Sequence, residues 1–373
     1  MHDPDPLHAA RVARYTAAHD RLSAMSDREL AGIVGAGVPH GSGIGGRSAA
    51  VDIGGTRVFV KRVPLTEWEL RPGYARSTAN VFGLPMCYQY GLGSAGFSAW
   101  RELTAHLITT DWVLGGDYPG SPIMYHWRVL PDTAPEGFAD EFGGLEGAVS
   151  HWDSSPAVRR RLEAIGRSRA SLVLFLEHLP HTLADWLDIH RGDPGVYPWA
   201  AQALARGTAF LSSRGFVHFD AHFANVLTDG RLIYFADLGL ALSRRFDLSA
   251  QESEFLADHR VYDYCYTATH LLGHYLFARV RDQAEYEVFL RDWIAGRRPG
   301  DIPPELAALI DQHVRPAVLL NDFHRSLLTE SKQTPFPWRD IEQELAPVSA
   351  RTLSGAGVER VRPSDSSRSH RYV

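Results

Sequence analysis

Three polar side chains stand close together in an otherwise apolar stretch, VHFDAHFANVLTDGRLIYFADLGL, between Val217 and Leu240: Asp220, Asn225 and Asp237. Two carboxylates and an amide supply hard oxygen donors, which Mg²⁺ takes when it binds one or two protein carboxylates together with substrate phosphates. The segment from Asn225 to Ala236 reads as a short hairpin turning at Asp229-Gly230, which would return Asp237 to the neighbourhood of Asn225. A fourth candidate lies far upstream. Of 38 basic residues only Lys61 and Lys332 are lysine, and Lys61 falls in VFVK, a run of strand character. Period 2 places it on one face with Phe59 and Val63, where an ammonium either reaches solvent or is held for a purpose. Lys332, isolated from any motif, is expected at the surface.

The elements that must position these groups follow from the apolar spacing. Residues 7 to 25 recur at helical intervals, and Ser26 to Glu29 reads as a capping box opening a second helix. Residues 35 to 46 are so rich in glycine that a loop is expected instead of a helix or strand. A β-hairpin follows, Ala49 to Ile53 and Arg57 to Val63 about a Gly54-Gly55-Thr56 turn. Phe97, Trp100, Leu103 and Leu107 mark an amphipathic helix carrying Glu102. Strands are expected over Pro122 to Leu130 and Ser171 to Leu176, separated by a polar helical insertion whose Arg159-Arg160-Arg161 run reads as a solvated face. Pro198 opens a helix ending near Gly215, and beyond residue 262 the pattern is helical at Tyr266 to Phe277, Ala284 to Ala295 and Pro304 to Leu328.

Strands and glycines early and helices late predict an α+β protein of two lobes. The divisions expected are a helical extension over 1–34, a small β-rich lobe with insertions over 35–176, a larger helical lobe over 177–349, and a Ser/Arg-rich disordered tail over 350–373. Charge excludes some partners. With 38 basic against 44 acidic residues the net charge is −6, which argues against nucleic acid or a membrane surface. No apolar run suits a signal peptide or a membrane span, so a cytoplasmic protein is expected. Cys87 and Cys265 are too few for a disulfide framework or a four-ligand zinc site and are expected as reduced, buried thiols.

Taken in order, these parts resemble the protein-kinase-like superfamily over roughly residues 35 to 275, and its aminoglycoside and choline phosphotransferase branch more than the eukaryotic protein kinases. Residues 218 to 225 resemble the catalytic loop, and Asp237-Leu238-Gly239 the Asp-Phe-Gly motif with leucine for phenylalanine. The resemblance implies a bilobal kinase-like fold, ATP and Mg²⁺ as cofactors, Asp220 as the acceptor of the substrate proton, and Asn225 and Asp237 as metal ligands. It implies that Lys61 contacts the α- and β-phosphates and is held by a glutamate, either Glu102 or Glu69. Gly41, Gly43 and Gly46, in a G-x-G-x-x-G run, would roof the nucleotide, and Glu177 to Leu179 would form the hinge that meets adenine through its backbone. His222 stands where small-molecule phosphotransferases often have histidine and protein kinases usually have lysine. It is therefore expected to touch substrate or phosphate, whereas His218 is expected to hold the shape of the loop.

The function so implied is transfer of the γ-phosphoryl group of ATP to a hydroxyl of a small molecule. A Ser/Thr kinase acting on a peptide or protein is the first alternative, and a catalytically silent nucleotide-binding scaffold the second. Retention of Lys61, Asp220, Asn225 and Asp237 together argues against the scaffold. A cleft made acidic by Glu252, Glu254, Asp258 or Asp263 would favour a cationic acceptor.

Overall fold

A computed structural model describes residues 6–43, 45–193 and 195–345. Ile44 of the glycine-rich run and the segment 350–373 expected to be disordered lie outside the described residues. The protein is α+β. The chain opens with helices α1 (Pro6–Ser23) and α2 (Asp27–Gly35), the second started by the capping box between Ser26 and Glu29. A five-stranded antiparallel sheet follows, built from β1 (Val38–Gly43), β2 (Gly46–Ile53), β3 (Thr56–Leu65), β4 (Met124–Pro131) and β5 (Ala170–Glu177) in the order β1-β2-β3-β5-β4. The β2–β3 hairpin turns on Gly54 and Gly55, both in the left-handed region, as a two-residue turn between paired Ile53 and Thr56 requires.

Alternation along β3 divides the burial. Val58 and Val60 pack with Leu22, Leu30 and Val34 of the N-terminal helices, while Val63 and Leu65 pack with Trp100 and Leu103 of α3 (Ala99–Leu114) on the opposite face. Each such side chain withdrawn from water contributes about 1.5–3 kcal/mol. The first two helices are thus the cover of one sheet face and not an appendage.

The glycine-rich run departs from the expected loop. Its first part is strand β1, whose Gly41 pairs with Ser48 and Gly43 with Gly46. Backbone pairing needs no side chain, so an edge strand tolerates this composition where a central one would not. Gly46, at φ 127°, also sits where a β-carbon would overlap the Arg62 carbonyl.

The remaining elements are α4 (Leu145–His151), α5 (Pro156–Gly166), β6 (His181–Thr182), α6 (Leu183–Ile189), α7 (Val196–Ser213), β7 (Phe216–Val217), β8 (Val226–Thr228), β9 (Ile233–Phe235), β10 (Leu242–Ser243), α8 (Ala250–Asp258), α9 (Tyr262–Leu276), α10 (Gln283–Ile294) and α11 (Pro304–Thr329). They enclose the largest core. Phe82 to Phe97 and helices α4 and α5 join that core through Tyr88, Trp152, Val158 and Leu162, although sequence order sets them among the strands.

Two expected surface cations are buried. Arg161 is 1% exposed and pairs with Glu69 at 2.9 Å, so only part of the arginine run faces water. Lys332 is 7% exposed, donates to the Leu327 carbonyl at 2.9 Å and lies over the Trp152 ring. Cys87 and Cys265 are free and buried. Among the described residues, no helix is long and apolar enough to cross a membrane.

Candidate active site

Lys61 reaches from β3 to Glu102 of α3 and to Asp237, which follows the β8–β9 hairpin. Its Nζ stands 2.7 Å from Glu102 Oε1 and donates to Asp237 Oδ1 at 2.7 Å. The lysine is 8% and Glu102 3% exposed, so burial disfavours both charges. Burial lowers the Lys61 pKa, but the Asp237 and Glu102 carboxylates outweigh it and hold the ammonium above its ordinary value. Burial raises Glu102, against the pull of Lys61. Ser98 caps α3 and fixes the turn that bears Glu102. Glu69, the alternative partner, is elsewhere: its carboxylate accepts from Thr66 and Ala99 amides and from Arg161.

The hairpin brings Asn225 and Asp237 together. Asp229 accepts the Arg231 and Leu232 amides at the turn, Val226 pairs with Phe235, and the Ala236 amide donates to the Asn225 carbonyl at 2.9 Å. Asp237 follows in a left-handed conformation, φ 54°, which a residue other than glycine adopts at a cost of about 1–3 kcal/mol. Its side chain is 43% exposed. Burial within the protein opposes its charge, yet Lys61 and the Gly239 amide bring its pKa down to about 2.

Asp220 is held from both sides. Asn225 Nδ2 donates to the Asp220 carbonyl at 3.1 Å and to Oδ2 at 3.0 Å, leaving Asn225 Oδ1 without a bond among the described residues. Burial, with Asp237 nearby, raises Asp220 to about 7. His218 accepts the Asp220 amide at Nδ1, 3.3 Å, so its Nε2 carries the proton donated to the Ala236 carbonyl at 2.7 Å. Burial depresses it to about 4, so at neutral pH it braces the loop as a neutral ring. Asp263 accepts the amides of His218 at 2.6 Å and of Phe219 at 3.0 Å, the latter in a left-handed conformation at φ 65°. His222 Nε2 stands 3.8 Å from Asp220 Oδ1, beyond a hydrogen bond.

The expected hinge is partly engaged. The Glu177 amide donates to the Ile123 carbonyl at 2.8 Å. Its carboxylate accepts from Arg11 Nε and Nη2 at 3.0 and 2.6 Å, and Arg11 also donates to the Pro119 and Ser121 carbonyls. Leu179 lies just beyond, half-buried. Gly41 is linked to Lys61 across the sheet, since Gly41 pairs with Ser48 and Ser48 with Lys61.

Residues with no motif complete the site. Arg11, and Gly91, whose α-carbon lies against the Asp220 carboxylate, carried no signal, because one lies in an ordinary amphipathic helix and the other in irregular chain. Glu252 forms a buried pair with Arg101, and Asp263 is spent on loop amides, so neither acid lines a cleft. Among the described residues, no cluster of three or more His, Cys, Asp or Glu side chains is arranged to hold a metal. No family model and no curated protein matches this chain.

Proposed function

We propose that the protein is an ATP-dependent phosphotransferase of bilobal, protein-kinase-like architecture that moves the γ-phosphoryl group to a hydroxyl of a small molecule. The observation that carries this is the meeting of Lys61, Glu102 and Asp237, brought together from a strand, a helix and a hairpin end, with Asp220 and Asn225 alongside. An ammonium so firmly charged suits the α- and β-phosphates, and Glu102 keeps it pointed there.

The donor set fits Mg²⁺: Asn225 Oδ1 and the open side of the Asp237 carboxylate are hard oxygens, and substrate phosphates and water would complete the shell. When bound, the ion would neutralise charge on the transferring group. Everything else falls to the chain. Asp220 accepts the hydrogen bond of the acceptor hydroxyl and takes its proton. The acceptor oxygen forms a bond to the γ-phosphorus, the bond from that phosphorus to the β,γ-bridging oxygen breaks, and ADP leaves. His218 and Asp263 hold the loop so that this geometry costs no reorganisation. Gly41, Gly43 and Gly46 cover the phosphates, and Leu179 offers its backbone to the base. His222 is near enough to Asp220 to touch the acceptor.

Calorimetry with Mg²⁺ and a non-hydrolysable ATP analogue tests the nucleotide half. Asp237→Ala should weaken binding by about tenfold or more, one lost charge-assisted contact being worth about 1.5–3 kcal/mol. Unchanged affinity would remove Asp237 from the site.

A further inference from the structure

Against Asp220 lies a cavity of about 700 Å³, within the range that encloses a drug-sized molecule. Gly91 ties the two together, since it lines the cavity and packs on the Asp220 carboxylate. His222 and Phe223 of the same loop form a second wall, and residues of α6, α9, α10 and α11 line the rest.

The lining is unusual in its charge. No Asp, Glu, Lys or Arg is among the described lining residues. Two acids stand behind the lining: Asp220, against Gly91 and 3.8 Å from His222 Nε2, and Asp188, which approaches His274 Nε2 at 3.2 Å and is more than half exposed. What lines the cavity instead is rings. Tyr262 and Tyr266 stack at 5.5 Å, and His270 stands edge-on to Tyr266 at 4.5 Å. His324 meets the Tyr262 hydroxyl at 3.0 Å. Burial depresses His270 and His324 to about 4 and lowers His274 as well, so at neutral pH these imidazoles are uncharged, each a donor and an acceptor at once.

We propose that this cavity receives the phosphoryl acceptor and selects an uncharged, ring-bearing alcohol, of the class of a glycoside, over a cationic amino sugar. The assignment rests on the phosphotransferase proposal for Asp220. A sugar or aromatic ring gains contact with the tyrosine and histidine faces, and its hydroxyls find neutral partners. An ammonium in the same place loses its water with no carboxylate to replace it, apart from the Asp220 group that must take the reacting hydroxyl.

Saturation-transfer NMR on the full chain, with a panel of neutral p-nitrophenyl glycosides and the matched amino-sugar glycosides, tests the selection. Neutral members should bind about tenfold or more tightly than their amino partners. Gly273→Leu, which fills the cavity from α9, should abolish that binding, and His270→Ala, which leaves the volume open, should weaken it. A thermal melt close to the wild type shows that each variant is folded. Amino members binding as well as neutral ones, no member binding, or both variants binding as the wild type does would each overturn the selection. Label transfer from γ-labelled ATP separates the two proposals: neutral ligands that bind but never gain label would sink phosphotransfer, whereas label passing to amino sugars in preference would sink only the selection.

Discussion

Gly91 packs so closely on Asp220 that a β-carbon at position 91 would overlap Oδ1 of the carboxylate. The backbone there is not left-handed, so alanine meets no conformational barrier and acts through this contact alone. The segment is anchored just before Gly91. Gln89 donates to the Leu240 carbonyl, and the Tyr90 hydroxyl meets His259 Nε2 at 2.6 Å. Gly91→Ala should therefore displace Asp220 and not the roof. We expect transfer to fall by about 100-fold, as a displacement near 1 Å can cause, while affinity for the nucleotide analogue stays near the wild type. Rapid-quench rates beside calorimetry read the two quantities, and an undiminished rate would show that Asp220 does not need this neighbour.

The insertion that carries Gly91 is fastened by a buried ion pair. Arg161 and Glu69 are each about 1% exposed, and Glu69 also accepts the amides of Thr66 and Ala99. Arg161→Met leaves a buried carboxylate without its cation. It should destabilise the protein by about 3–5 kcal/mol in urea titration. Adding Glu69→Gln removes the stranded charge, so the double variant should recover part of that loss; equal destabilisation of single and double variants would deny the coupling.

Acid should weaken the fold through its histidines. His259 is brought by burial to about 3, and His270, His313 and His324 to about 4, from an ordinary value of 6.5. As pH falls below 6.5 the unfolded chain takes up protons that the folded chain refuses, so stability drops with pH down to about 4. Within that window each such histidine removes roughly 1 kcal/mol per pH unit. Asp220 and Asp263, raised by burial to about 7 and about 6, run the other way but are fewer. His313 Nδ1 has no hydrogen-bond partner, so His313→Leu is the direct check. Its melting temperature should fall less between pH 7 and 5 than that of the wild type, and an identical slope would remove His313 from this effect.

Much of the arrangement was legible where local pattern and final structure agree. The β2–β3 hairpin, the strand bearing Lys61, the helix bearing Glu102 and the Asp229-Gly230 turn all follow from alternation, helical spacing and turn chemistry, which are local properties. The pairing of β1 was not, because a glycine-rich strand has no side-chain pattern and gains its ladder only from β2. Choosing Glu102 over Glu69 was equally out of reach. Both acids follow Lys61, and only the route of the long connection, which buries Glu69 against Arg161, decides between them. Arg161 itself looked like a solvated charge since its partner lies 92 residues away. Gly91 and Arg11 gave no sign, for each works through a contact that only the assembled chain creates.

The proposed mechanism has Asp220 deliver an acceptor hydroxyl to a phosphoryl group held opposite Lys61. Its most direct test is single-turnover transfer of label from γ-labelled ATP with Mg²⁺ to a neutral aryl glycoside, for the wild type and Asp220→Asn, alongside calorimetry on both. The expected result is labelled glycoside with the wild type, a rate lower by about 10²- to 10⁴-fold with Asp220→Asn, and nucleotide affinity the same in both. Label transferred by Asp220→Asn at the wild-type rate, or no label reaching any acceptor from wild-type protein that binds the nucleotide, would contradict it.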